Sequence, residues 1–121
     1  MFEVNDVTGD MELHQGDTGE YIVTDILAKD GTRAYFEIQD SKRKAVGSQI
    51  STIVYDGMAV FKFTQAITNL LKVKATEETA EYYGGIKLCD DEGNEETIKV
   101  GNKKGGERII ITVLPIEVEG D

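Results

Sequence analysis

The sequence predicts an all-β fold, a sandwich or barrel of about seven to nine strands, because short segments of alternating apolar and polar residues recur between closely spaced turn signals. Two further observations support it. Asp30-Gly31, Asp56-Gly57 and Asp90 to Asn94 punctuate the chain with residues that tolerate positive φ. A helical three-and-four spacing of apolar residues is read in one segment, Gln65 to Val73.

The first ten residues carry Asp6, Gly9 and Asp10 and read as an arm, either flexible or pairing with a sheet edge. Residues 11–118 are expected to form one domain, with 119–121 as a tail. Met11 to Val23 reads as two short strands joined at a corner, Gly16-Asp17-Thr18-Gly19. Tyr21 to Leu27 is rich in β-branched and aromatic types and runs into Lys29-Asp30-Gly31-Thr32, a hairpin or tight loop. In Arg33 to Gln39, Ala34, Phe36 and Ile38 fall on one face and Arg33, Glu37 and Gln39 on the other, a half-buried strand.

After the charged loop Asp40 to Lys44, strand character returns from Gln49 to Tyr55. The turn Asp56-Gly57 then leads into Met58 to Thr64, where Ala59, Phe61 and Phe63 share a face, and the two segments are expected to pair as a hairpin. Ile67, Leu70 and Leu71 with Thr64 as N-cap predict a helical turn over 65–72, crossing between sheets. Thr76 to Thr79 could start another short helix. Tyr82 to Cys89 resumes the strand pattern with Gly84 and Gly85 inside it, the mark of a bulge or a close backbone approach. Glu95 to Val100 alternates, Gly101 to Gly106 forms a loop, and Arg108 to Pro115 is apolar on both faces, as a central strand would be.

The 121 residues suffice for one hydrophobic core. Hydrophobic residues make up 40% and charged residues 30%, above the apolar content of disordered segments. The net charge of −10, from 23 acidic and 13 basic side chains, argues against nucleic acid and anionic membrane surfaces as partners. A single cysteine, Cys89, excludes an intramolecular disulfide. The start Met1 to Asp6 has neither the basic residues nor the apolar run of a signal peptide, and no stretch reaches the roughly 18 apolar residues of a membrane span. The expectation is synthesis in a cytoplasm.

No group of residues assembles into catalytic chemistry. His14 has Asp17 nearby but no Gly-x-Ser-x-Gly elbow or other held nucleophile, and Cys89 has no cationic sequence neighbour to lower its pKa. Cys89 is in register with Tyr83, Gly85 and Lys87, the less apolar face of its strand. The acidic run Asp90 to Glu96 lacks the alternating ligands of a calcium loop and reads as a turn. Gly101 to Gly106 lacks the Gly-Lys-Ser/Thr ending of a phosphate loop. Lys42-Arg43-Lys44 reads as a solvated loop. Tyr82 and Tyr83 point to opposite faces, so only one of them can serve any surface, as in carbohydrate stacking. No enzyme, cofactor or metal is expected.

Three segments in order carry a resemblance: Leu13 to Gly19 with Gly16, Asp17 and Thr18; Phe36-Glu37-Ile38-Gln39-Asp40; and Tyr82 to Leu88 with Tyr83, Ile86 and Leu88. Together the chain resembles the N-terminal domain of phage baseplate upper proteins. The resemblance implies an immunoglobulin-like antiparallel β-sandwich, a virion tail or baseplate module of phages or prophages of Gram-positive bacteria, assembled in the host cytoplasm. It implies other tail or baseplate proteins as partners, with a homo-oligomer allowed, and a structural role for Gly16, Asp17, Thr18, Phe36, Ile38, Tyr83, Ile86 and Leu88. The family's late strand usually runs aromatic, Asp, Ile, whereas this chain has Tyr83-Gly84-Gly85-Ile86. The competing expectation is an immunoglobulin-like module binding a cell-surface carbohydrate or protein through the loops Lys42 to Gly47 and Asn102 to Gly106. A small hydrolase using His14 or Cys89 is a third.

Overall fold

The computed structural model describes residues 2–98 and 108–116, and in them the alternating segments become strands β1 (Phe2–Val4), β2 (Met11–His14), β3 (Gly19–Val23), β4 (Arg33–Gln39), β5 (Ile50–Ile53), β6 (Ala59–Phe63), β7 (Ala80–Cys89), β8 (Glu95–Ile98) and β9 (Ile109–Leu114). The helical turn α1 (Gln65–Thr68) is capped by Thr64, whose Oγ1 accepts from the Ile67 N–H at 3.4 Å.

Two sheets of unequal width face each other. The larger runs β1-β2-β9-β7-β4-β5, with β8 also paired to β7, and the smaller is β3-β6. The division of β3 and β6 from β4, β7 and β9 is that of B and E from C, F and G in immunoglobulin-type sandwiches. One ladder departs from the antiparallel expectation: β2 and β9 run parallel, pairing Met11 with Ile111 and Leu13 with Val113. Tight turns join antiparallel neighbours, but these two strands come from opposite ends of the domain, so no turn constrains their direction.

The period-2 pattern decides what is buried. Leu13, Phe36, Ile38, Ile86, Ile111 and Val113 from the large sheet meet Tyr21, Phe61 and Phe63 from the small one, all of them essentially solvent-free. Phe36 lies at the centre, its ring 5.3 Å from that of Tyr21, 5.6 Å from Phe61 and 5.1 Å from Phe63, each edge to face. Diagonal to it on the neighbouring strand is Gly84, paired with Ile38, where a Cβ would lie 2.6 Å from Phe36 Cζ. The glycine is a close approach: this core gives the space to the Phe36 ring.

The segments Gln49 to Tyr55 and Met58 to Thr64 do not form the expected hairpin ladder. Asp56 and Gly57 do make a two-residue turn with φ of 53° and 72°, and Tyr55 and Met58 exchange both main-chain hydrogen bonds. Beyond that pair the strands part, β5 to β4 and β6 to β3. Ile50 and Val54 face the core from one sheet, Ala59, Phe61 and Phe63 from the other, so the turn works as a corner. The strand expected to reach Leu27 stops at Val23, and Asp25 takes a φ of 60° as the chain crosses to β4. Thr76 to Thr79 contains turn and bend but no helix. Lys99, Val100 and the loop Gly101 to Gly106 lie outside the described residues.

Arg108 to Pro115 yields a central strand as expected, β9 lying between β2 and β7. β8 and β9 pair with successive stretches of the same edge of β7: Ile98 is opposite Ile86 and Ile109 opposite Gly84.

Candidate interaction surfaces

The corner Gly16-Asp17-Thr18 turns the chain from the large sheet to the small one. Gly16 has a φ of 90°, a backbone region that glycine enters without a Cβ clash. Asp17 Oδ2 accepts from the His14 N–H at 3.0 Å, and the Asp17 carbonyl accepts from the buried Thr68 hydroxyl at 2.8 Å. Gln15 Nε2 donates to the Asn69 carbonyl at 3.0 Å, so the corner is bonded to α1 and the residue after it. Thr18 is exposed. His14 Nδ1 stands 3.8 Å from Asp17 Oδ2, a partly exposed contact at a strand end. The corner fixes where two sheets meet; neither hydroxyl nor thiol is bonded to the imidazole among the described residues.

Of the other residues that the resemblance singles out, Phe36, Ile38, Ile86 and Leu88 are in the core. Tyr83 is on the opposite, outward face of the large sheet. Its hydroxyl donates to Glu81 Oε1 at 2.8 Å, and the Arg108 guanidinium lies 4.1 Å from its ring centroid. The hydrogen bond to the Glu81 carboxylate, together with some desolvation, raises the Tyr83 pKa. Glu37, on the same face, accepts from Gln49 Nε2 at 2.9 Å and Gln39 Nε2 at 2.8 Å, which hold its carboxyl below the usual range. Gly85 lies between Tyr83 and Lys87, and a Cβ there would meet nothing within 4 Å. Cys89 ends this row half-buried, its Sγ 3.7 Å from the Asp90 carbonyl.

The acidic loop is a hairpin turn, as its residues indicate. Asp90 Oδ1 accepts from the main-chain N–H of Glu92 and Asn94, both at 2.9 Å, and Gly93 has a φ of 84°. Asp40 repeats the device, accepting from Lys42 at 2.8 Å and Lys44 at 3.0 Å, with Arg43 at a φ of 66°. Main-chain donors, chiefly Asn94 for Asp90 and Lys44 for Asp40, lower both carboxyl pKa values. The carboxylates are therefore used inside their own turns. Among the described residues no group of three or more His, Cys, Asp or Glu is placed to hold a metal ion.

The margins of the large sheet differ in chemistry. At one end β1 sets Glu3 directly opposite Glu12. At the other, β5 is outermost, and from Ala45 to Tyr55 the chain has no charged residue. Ile53 is 55% exposed and Tyr55 72%, and Met58, bonded to Tyr55 across the turn, is also exposed. Sequence reading passed over this margin, although the uncharged run was visible; which strand becomes outermost is decided by pairings remote in sequence. Among the described residues no helix is long and apolar enough to cross a membrane.

No protein-family model matches this chain, and neither the curated proteins nor the solved structures give a match to it.

Proposed function

We propose that this chain is a non-enzymatic structural component of a phage or prophage tail or baseplate, acting in the virion through protein–protein contacts. The observation that carries the assembly part is the β5 margin: an outermost strand without charge, with Ile53, Tyr55 and Met58 exposed along it. Strand addition across a subunit boundary uses such a margin, since main-chain donors and acceptors give direction and adjacent apolar side chains give area. The phage part is supported by the ordered likeness of Gly16-Asp17-Thr18, Phe36 to Asp40 and Tyr82 to Leu88 to baseplate upper proteins.

The test is to induce prophage in the source bacterium, purify the released particles and quantify this chain by mass spectrometry. Presence at the stoichiometry of tail or baseplate proteins is expected. Absence from intact particles that contain other baseplate proteins overturns the proposal. A second reading, a module recognising a cell-surface carbohydrate or protein, is favoured by the Tyr83 ring beside the open floor at Gly85. That reading predicts sedimentation of the purified chain with cell-wall material, lost on Tyr83→Ala.

A further inference from the structure

We infer that β5 is a self-association edge, at which a second copy of this chain adds its own β5 antiparallel across a two-fold axis. This deepens the assembly reading by naming the partner, and its test uses the isolated chain, so its failure is distinct from failure of the particle experiment.

The main chain points the right way. The Val54 N–H donates to the Thr32 carbonyl at 2.8 Å, and Thr52 is opposite Ala34 and Ile50 opposite Phe36. In an antiparallel pair alternate residues bond to the same neighbour, so the N–H and C=O of Ser51 and Ile53 face away from β4, toward the open edge. An edge of this kind is self-complementary in antiparallel orientation. With Ser51 opposite the second copy's Ile53 and the reverse, about four main-chain hydrogen bonds form around Thr52.

Charge selects the occupant. The chain carries −10, so two copies repel over most of their surface, and Ala45 to Tyr55 is its longest uncharged run. At the edge itself there is no charge to pair, and an equally neutral edge meets it without burying an unpaired charge. Natural edges are usually guarded by lysine, proline or inward-facing charge, and β5 has none of these. The opposite margin is guarded: β1 is three residues long and carries Glu3 against Glu12. A head-to-tail filament joining β1 to β5 is therefore disfavoured relative to a closed pair. Ile53 and Tyr55, exposed along the outward face, would be covered by the pairing.

Sedimentation equilibrium of the full chain from about 10 μM to 1 mM, a range suited to a short interface, should show monomer and dimer only. Raising the salt should strengthen association, because it screens like charge between copies. Ser51→Pro removes an outward N–H that the monomer's own ladder does not use, and Ile53→Glu places a carboxylate on an exposed position; each should weaken the dimer at least tenfold. Hydrogen exchange of the native chain should show the Ser51 and Ile53 amides becoming protected as concentration rises, a readout independent of whether the proline variant folds. A monomer throughout, assemblies larger than a dimer, association undiminished in Ile53→Glu, or protection that maps elsewhere would each overturn the inference.

Discussion

Gly84 and Gly85 are adjacent in β7, yet alanine at the two positions should act in opposite directions. At Gly84 a Cβ would stand 2.6 Å from Phe36 Cζ and 2.7 Å from Cε1. Ordinary carbon contacts begin near 3.5 Å, so one side must move by about 0.9 Å. Phe36 has little room to give, being fully buried with three rings packed against it. Overpacking of this kind costs about 1–3 kcal/mol, against about 0.4–1 kcal/mol recovered because alanine restricts the unfolded chain. The expected net loss is about 1–2 kcal/mol, or roughly 4–8 °C in Tm for a domain of this size. At Gly85 a Cβ meets nothing within 4 Å, and neither glycine has a positive φ, so Gly85→Ala should gain about 0.4–1 kcal/mol. Urea and thermal unfolding followed by far-UV circular dichroism measure both. In a Phe36→Leu background the penalty at Gly84 should shrink to near zero, since the atoms it collides with are gone. Equal effects of the two alanines, or a Gly84→Ala penalty unchanged in that background, would refute the steric account.

Tyr21→Phe removes the hydroxyl that donates to the Gly9 carbonyl at 2.6 Å inside the core; chemical denaturation should show a loss of about 1 kcal/mol, with faster amide exchange in the turn from Asn5 to Asp10. Arg43→Gly relieves a side chain at a φ of 66° and should raise stability by a few tenths to about 1 kcal/mol, whereas Gly93→Ala at a φ of 84° should lower it by about 1 kcal/mol, both read from urea midpoints. The carboxyls of Asp40 and Asp90 have folded pKa values below their unfolded ones, so their contribution is present above the unfolded value and disappears as pH falls through the folded one. Carbon-detected NMR titration should place both below the ordinary aspartate value of about 3.9, and Asp90→Asn should flatten the stability loss as pH falls below about 4.

Local pattern made the strands legible and left the sheets obscure. Ala34, Phe36 and Ile38 announce a buried face by alternation alone, and Thr64 with Ile67 announces the capped turn, because both signals involve neighbours within four residues. Asp56-Gly57 is equally plain as a turn, yet nothing near it says that Tyr55 and Met58 head into different sheets; that depends on β3 and β4 claiming the partners first. The same limit hid the parallel β2–β9 ladder. Gly84 and Gly85 were legible as a bulge or a close approach, while which of the two applies, and the identity of the intruding ring, required the fold. The candidate surface was readable only in part: the neutral run from Ala45 to Tyr55 is in the sequence, but its place on an open edge belongs to the topology.

The parallel pairing of Met11–His14 with Ile109–Leu114 joins segments nearly a full chain length apart. Closing a loop that long costs entropy before any contact is gained, which slows folding. During synthesis β2 waits, unpaired on that side, until β9 has left the ribosome, and part of the β7 margin waits with it. Completion of the large sheet thus depends on β9, and truncation before Ile109 leaves two apolar strand margins open together, a species prone to aggregate before it can fold.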